Sequence, residues 1–378
     1  MSNIRAASMD RIRSLDGLRA ISILMVLLAH ARSTMPAQLG DSKAMLFLAD
    51  SYLGVKIFFV ISGYLITRLL IRERAQTGSI DIKHFYIRRA FRIFPIFYLY
   101  IISVLVIKLF FVSAIFVDYT KLGLASVYLW NYQHLFTSVP DPNGGWFFGH
   151  FWSLSMEEQF YLLWPIMFLK IPKEKLVKVV AGIIVLMPAI RVATYFLMPG
   201  SRGQIAMMLQ TGGDSILIGC LGALLESNIS LREKYEPYLR NNYILAGVLA
   251  FVLVINKLLL FRFPGAYDMI IGKSLLNIGI MYLIFWSVYV PSKFAGILNM
   301  KGVVFIGVLS YSLYIWQQLF LHSNFNSWVN QFPQNLGIVF LVGYISYQFI
   351  EKPILGLKSR FGKGKIKPLR EEEIKIAV

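Results

Sequence analysis

The residue best suited to proton transfer in this sequence is His30, which ends the first apolar run eleven residues after Arg19. At 100° per residue, their separation of eleven positions returns to within about 20° of the same helix face, roughly 16 Å along the axis. An ionisable side chain inside a membrane span is energetically expensive and usually functional. Because histidine exchanges a proton near neutral pH, we interpret His30 as the centre of the chemistry.

Two other interpretations of this stretch are open. Positive residues, a short apolar run and the sequence Ala29-His30-Ala31 are also typical of a secretory signal peptide with its small-x-small cleavage site. An uncleaved first span fits a chain with many spans equally well. His30 could also serve only to hydrogen-bond a neighbouring helix.

A second group of ionisable residues, Arg88, Arg89 and Arg92, lies within about one helical turn at the start of the third span. Arginine grips phosphate groups with two parallel hydrogen bonds, so this cluster predicts a phosphate-binding site. The same pattern is also typical of the basic residues that anchor cytoplasmic loops. The spacing alone does not separate these two interpretations.

Two adjacent carboxylates, Glu157 and Glu158, lie near the start of another apolar helix. Adjacent helical residues point about 100° apart, so at most one of them is expected to face His30. Negative charge is also favourable at a helix N-terminus, so both could simply cap the helix or lie in water.

Polar side chains also interrupt later spans. Asp214 is expected to face the bundle interior, where Lys56, Lys108, Arg191 and Lys273 are its candidate partners. The stretch 310–318 carries a polar and aromatic face suited to a sugar or a nucleotide, although aromatic belts at the membrane interface have the same composition.

Composition places the chain in the membrane. Of its 378 residues 57% are hydrophobic and 15% are charged, whereas soluble domains have about a quarter charged residues. Apolar windows long enough to cross a bilayer recur along the whole length. The sequence therefore predicts an all-α, polytopic transmembrane helix bundle. Its single cysteine, Cys220, excludes an intrachain disulfide.

The net charge of +18 comes mainly from segments that alternate with the spans in the way the positive-inside rule requires. This distribution favours anionic lipids and a phosphorylated cytosolic ligand, and no nucleic acid is expected as a partner. Spans are predicted near residues 16–36, 52–71, 94–116, 151–169, 179–198, 205–226, 243–261, 270–290, 303–321 and 335–354.

A further apolar piece, residues 119–136, is predicted to be re-entrant or interfacial. Counting it as a crossing would place Lys170, Lys173, Lys175 and Lys178 outside, against the positive-inside rule. About ten crossings then form a transmembrane domain over residues 1–358, followed by a basic cytoplasmic tail over 359–378. Both termini are expected in the cytoplasm of a bacterium, with the domain in its inner membrane.

Several separated motifs resemble the acyltransferase-3 family of integral membrane proteins, which acylate envelope sugars and related acceptors in bacteria. The motifs occur in the same order as in the family and cover nearly the whole chain. Each motif taken alone is weak evidence for the family. These motifs occupy residues 15–20 with His30, 54–65, 88–95, 152–161, 214–219, 310–314 and 349–353.

The resemblance implies an acyl-CoA donor, usually acetyl-CoA, on the cytoplasmic side, and no metal. It implies that Arg19 and His30 are an essential pair, that Arg88, Arg89 and Arg92 bind the donor's phosphates, and that Glu158 assists. Other motif residues are predicted to bind substrate, namely Asp16, Trp152, Ser155, Glu157, Asp214, Tyr311 and Tyr314. The sequence departs from the family at Lys56, where an acidic residue is common, and at Gln317, where many members have histidine.

Acyl transfer to a hydroxyl needs a base for the hydroxyl proton and stabilisation of an oxyanion. His30 could be that base or could carry a transient acyl group. The expected acceptor is a cell-envelope polysaccharide or a lipid-linked glycan; a small secreted molecule such as a macrolide is the alternative. A transporter or flippase for a lipid-linked glycan is the rival outside the enzymes, although no paired broken helices occupy matching positions in two halves.

Overall fold

The computed structural model describes residues 12–325 and 327–361, and over these residues the chain forms helices and no strand. The predicted all-α bundle is therefore confirmed. The predicted tail over 359–378 lies almost entirely outside the described residues.

The first half of the chain contains nine α-helices, of which α1, α4, α5, α8 and α9 are long. In chain order they are α1 (Arg13–Ala31), α2 (Ala37–Gly40), α3 (Lys43–Leu48), α4 (Ser51–Thr77), α5 (Ile82–Phe110), α6 (Tyr119–Ser126), α7 (Pro142–Phe147), α8 (Phe151–Lys170) and α9 (Lys173–Leu197).

The second half contains ten more helices and three π-helical turns. They are α10 (Leu209–Gly212), α11 (Asp214–Glu226), α12 (Ile229–Leu239), α13 (Asn242–Ala250), α14 (Asn256–Arg262), α15 (Lys273–Tyr289), α16 (Lys293–Leu298), α17 (Lys301–Trp316), α18 (Gln334–Ser346) and α19 (Lys352–Phe361). The π turns are Phe251–Ile255, Asp268–Gly272 and Tyr347–Glu351, each continuous with the α-helix that follows it.

Eight helical stretches of the described chain are long and apolar enough to cross a bilayer, or nine if the bent pair α11–α12 is one span. The chain is therefore a multi-pass membrane protein. α8 is not among these stretches, because polar residues that include Glu157 and Glu158 lower its mean hydropathy. Its 20 residues nevertheless span about 30 Å, the length of a membrane-crossing helix.

The apolar segment 119–136 has no helix long enough to cross. α6 has eight residues, about 12 Å, and a 3₁₀ turn over Trp130–Leu135 follows it. Gln159 of α8 fixes the turn between them, because its amide nitrogen donates to the carbonyl of Tyr128 at 2.8 Å. This conformation agrees with the re-entrant or interfacial segment predicted from the sequence.

The predicted span 205–226 is broken rather than continuous. Its first residues form turns and the short α10, and α11 begins only at Asp214, after Gly212 and Gly213. At its other end α11 meets α12 at 109°. The side chain of Asn228 caps α12 by accepting from the amide of Leu231, which fixes this bend.

Three glycines bring the central helices into backbone contact. A Cβ atom at Gly63 of α4 would overlap the carbonyl of Ile216 in α11, and one at Gly219 would overlap the carbonyl of Val60. Gly307 of α17 lies in the same way against the backbone of Asp16 in α1. Such small residues are what let transmembrane helices approach closely.

Contacts between helix termini define two opposite ends of the bundle. At one, which we call the basic end, the start of α5 with Arg88, Arg89 and Arg92 meets the last turns of α4 through Glu73. At the other, which we call the histidine end, the last turn of α1 with His30 meets the end of α17. α1 and α17 run side by side and in parallel between them.

Candidate functional site

A cavity of about 470 Å³ lies within the bundle toward the basic end, and α1, α4, α5, α8, α17 and the last π turn form its wall. This volume is within the range of ligand-binding cavities. Nine of the thirteen residues predicted to form the site line it: Asp16, Arg19, Arg88, Arg89, Arg92, Glu157, Glu158, Tyr311 and Tyr314.

Helix periodicity explains how several of these residues reach one wall. Asp16 and Arg19 lie three positions apart on α1, and Tyr311 and Tyr314 have the same spacing on α17, so each pair shares a face. α5 begins at Ile82, where the side chain of Asp81 caps it by accepting from the amide of His84. The arginines of its following turns thereby reach the mouth of the cavity.

The cavity arginines differ in what compensates their charge. Arg88 pairs with Glu73 at 2.8 Å between the guanidinium and the carboxylate. Arg89 lies over the ring of Tyr161, 4.5 Å from its centroid. Within the described chain, Arg19, Arg89 and Arg92 take part in no ion pair.

Two acidic residues of the cavity wall accept hydrogen bonds from neighbouring hydroxyl groups. Glu157 accepts hydrogen bonds from Ser62 and Tyr161, which also contact each other. Glu351 accepts from the hydroxyl of Ser312 at 3.0 Å. Because these carboxylates already have partners in the wall, the guanidinium groups opposite them are available to an anionic ligand.

His30 lies outside the cavity wall, on the same helix as Arg19 but at the histidine end. Its Nδ1 is 2.9 Å from Oε1 of Gln317, and the indole of Trp146 packs edge-on against its ring, with 5.5 Å between the centroids. The residue as a whole is partly exposed. Neither Glu157 nor Glu158 contacts it among the described residues.

A single layer of polar side chains connects the cavity to the histidine end. Ser153 and Tyr314 line the cavity, and their hydroxyls are 2.6 Å apart. Both hydroxyls also lie within hydrogen-bond distance of the carbonyl of His150, at 3.0 Å for Ser153 and 3.2 Å for Tyr314. The imidazole of His150 is 2.6 Å from Oε1 of Gln318, and the carbonyl of Gln318 accepts from the indole of Trp146 at 3.0 Å.

Three predicted substrate-binding residues also lie off the cavity wall. Trp152 packs edge-on against Phe59 at 5.8 Å between ring centroids. Ser155 is fully buried, and its hydroxyl has no partner in the described chain.

Asp214, the third of these, forms a buried ion pair with Arg191. The structure thus selects one of the four cations that the sequence offered as its partner. Lys56 instead donates to Ser215 at 2.9 Å, Lys273 pairs with Asp268 at 2.7 Å, and Lys108 donates to backbone carbonyls.

Sequence reasoning missed the amides of the histidine end and the burial of His150. Gln317 was noted only as a departure from the family, and Gln318 and His150 were assigned no role. Two adjacent glutamines at the end of an apolar helix were the available signal, because a buried amide needs a partner. Over residues 12–325 and 327–361, no group of three or more His, Cys, Asp or Glu side chains is arranged to hold a metal ion.

Comparison with known proteins places the chain in a family. Residues 12–349 match the family described as Acyltransferase domain. The chain is 29% identical to the O-acetyltransferase OatA of Staphylococcus aureus (strain COL) over 358 residues, which are 90% of this chain and 56% of that protein.

Two putative O-acetyltransferases of Staphylococcus aureus, from strains COL and MSSA476, are also 29% identical and are covered over 57% and 56% of their length. The chain thus spans little more than half the length of these relatives. No solved structure matches it. Since the family match covers most of the chain and includes every helix that lines the cavity except α19, the chain belongs to the acyltransferase-3 family.

Proposed function

We propose that this protein transfers an acyl group, by preference acetyl, from acyl-CoA to a hydroxyl of a cell-envelope polysaccharide or lipid-linked glycan. The observation that carries the proposal is the cavity at the basic end. It gathers Arg19, Arg89 and Arg92 without ion pairs, on the side where the positive-inside rule places the cytoplasm. The relatives' names as O-acetyltransferases support acetyl as the acyl group.

The fit of the donor to this cavity rests on charge and shape. Arg88, Arg89 and Arg92 would hold its phosphates at the mouth, since guanidinium groups bind phosphate with paired hydrogen bonds. The apolar lining deeper in the wall, such as Phe58, Phe59 and Leu154, suits an extended chain that carries the acyl group inward. The thioester would then extend past Arg19 to the layer of Ser153 and Tyr314, on the side of the cavity toward the histidine end.

The chemistry assigns His30 the role of general base. It removes the proton of the acceptor hydroxyl as that oxygen attacks the thioester carbonyl; the carbon–sulfur bond then breaks and the proton passes to the leaving thiolate. Arg19, about 16 Å from His30 along α1, orients the donor from the basic end. Glu158 assists from the opposite wall of the cavity.

The acceptor approaches from the histidine end. The protein would lie in a bacterial inner membrane with both termini in the cytoplasm, so acyl-CoA enters at the basic end and the glycan at the periplasmic surface. Anionic lipids would surround the basic loops. This arrangement needs no transport of the whole donor across the membrane.

The test is an acyl-transfer assay on the purified protein in lipid vesicles. Radiolabelled acetyl-CoA is supplied on one side and candidate acceptors on the other, with polysaccharide, lipid-linked glycan and a macrolide tested in parallel. We expect labelled ester on a glycan acceptor and none with His30→Ala. Transport of unmodified glycan without acetyl-CoA consumption would overturn the proposal in favour of a flippase, and label on the macrolide alone would replace the acceptor class.

A further inference from the structure

We infer that Gln317 is the positioning residue of the site, because it fixes the tautomer of His30 and leaves Nε2 as the nitrogen that exchanges the proton. The inference deepens the proposed function and rests on it for its catalytic meaning. The tautomer itself is a property of the protein without substrate.

The first observation is the contact between the two side chains. Nδ1 of His30 lies 2.9 Å from Oε1 of Gln317, and an amide oxygen only accepts hydrogen bonds. Nδ1 therefore carries the proton in the neutral ring, and the lone pair lies on Nε2. Within the described chain Nε2 makes no hydrogen bond, and the residue is partly exposed.

The second observation is how firmly the ring is held. Trp146 packs against it with an angle of 72° between the planes, and the indole is itself tied to the carbonyl of Gln318. A half-turn of the imidazole about its Cβ–Cγ bond would replace Nδ1 with a carbon and break the hydrogen bond to Gln317.

The third observation is the local backbone that presents Gln317. α17 ends at Trp316 and continues as a 3₁₀ turn over Gln317–Leu319. This turn directs two successive amides at two different histidines, with Gln317 on His30 and Gln318 on His150. The two contacts have the same chemistry, but only His30 is partly exposed, since His150 is buried.

The fourth observation argues against a purely structural role. The side chain of Gln317 is fully buried, and its amide nitrogen has no partner in the described chain. A buried donor without a partner destabilises the fold, and an apolar residue of the same length would avoid that loss. The oxygen that Gln317 offers to His30 explains why an amide occupies the position.

The experiment reads the tautomer directly, by ¹⁵N magnetic resonance of the protein labelled at histidine, with His30→Ala to assign the signal. In the wild type we expect a protonated Nδ1 and an unprotonated Nε2. In Gln317→Met, which keeps the length and removes the acceptor, we expect a mixture of both tautomers. Gln317→Glu keeps an acceptor oxygen and should restore the protonated Nδ1.

Activity gives the second measurement. Gln317→Met should lower kcat about 10- to 100-fold, the loss that follows removal of the partner orienting a metal-bound histidine, with an unchanged KM for acetyl-CoA. Gln317→Glu should recover most of that loss. The matched control is Gln318→Met, which removes the adjacent buried amide and should leave the His30 signal as it is.

A protonated Nε2 in the wild type, or an unchanged His30 signal in Gln317→Met, would overturn the inference. Wild-type kcat in Gln317→Met with a mixed tautomer would show that the tautomer is fixed but has no catalytic role, which also overturns it. The magnetic resonance measurement needs no acyl transfer, so a failure of the proposed function would appear separately as an inactive wild type with the expected tautomer.

Discussion

Polar side chains have different kinds of partners at the basic end and at the histidine end of the bundle. At the basic end a cavity exposes guanidinium groups, and of the three arginines at the start of α5 only Arg88 has a carboxylate partner among the described residues. At the histidine end each of three imidazoles contacts an amide: His30 contacts Gln317, His150 contacts Gln318, and His322 contacts Asn330. One end is suited to attract an anion, and the other to keep neutral rings in fixed orientations.

The difference is the one that the proposed function would require. Binding a phosphorylated donor would require uncompensated positive charge, whereas a base for a hydroxyl proton would require an unprotonated ring. His322, which lies outside the spans, illustrates the second condition: burial lowers its pKa to about 4, so it is neutral above that pH. Placing the two tasks at opposite ends of α1 would keep the charge of Arg19 about 16 Å from His30 along the helix.

The largest effect should come from His30→Ala. Loss of a general base lowers kcat about a hundredfold or more, while the KM for acyl-CoA should stay the same because His30 is not part of the cavity wall. Steady-state kinetics on detergent-purified protein would measure both. Normal kcat, or a large rise in KM alone, would contradict the division between the two ends.

Arg19→Lys should have the next largest effect. Lysine keeps the charge but not the planar fork, and at a partly buried position in a cavity wall the two are not interchangeable. We expect kcat/KM for acyl-CoA to fall about 10- to 100-fold, the equivalent of one charge-assisted hydrogen bond. Arg13→Lys is the matched control on the same helix, because Arg13 is exposed and donates only to a backbone carbonyl. Equal losses in both variants would contradict the role of Arg19.

A smaller effect is expected from the arginines of α5. Arg89→Gln and Arg92→Gln should each raise the KM for acyl-CoA about tenfold with kcat unchanged, because a charge-assisted contact to phosphate is lost. Arg88→Gln should raise it less, since Glu73 already compensates that charge. Lys83→Gln in the first turn of the same helix is the control. If the substitutions change only the amount of protein inserted in the membrane and leave KM unchanged, these arginines anchor the helix at the membrane surface and do not bind the donor.

The last prediction leaves activity unaffected and tests whether the two ends face opposite sides. In a Cys220→Ser background, Ser138→Cys should react with a membrane-impermeant thiol reagent from the periplasm, and Ser79→Cys only from the cytoplasm. Both serines are exposed, one beside the histidine end and one beside the basic end. Labelling of Ser138→Cys only after the membrane is opened would refute the proposed orientation.

Periodicity and composition were sufficient for most of the long helices, and the motifs of the family resemblance named nine residues of the cavity wall. Asp16 with Arg19, and Tyr311 with Tyr314, share a face because of their spacing, and the structure brings both pairs to the cavity. The break of α11 from its predicted span was not expected, although Gly212-Gly213 was visible, because hydropathy averages over a window and does not register a turn within it.

Contacts between distant residues could not be predicted. His30 and Gln317 are separated by 287 positions, and His150 and Gln318 by 168, so their pairing depends on how α1, α8 and α17 pack. Asp214 had four possible cations, and only the packing of α9 against α11 selects Arg191. The sequence shows which polar side chains need a partner, whereas the packing of the helices determines which partner each of them contacts.

The glycine contacts of the central helices have a mechanical consequence. With Gly63 and Gly219 joining α4 to α11, and Gly307 joining α17 to α1, the backbones touch and leave no side chains that could slide or repack between them. We therefore expect these four helices to move together. An opening that admits the proposed donor would then come from the other helices that line the cavity, α5, α8 and α19.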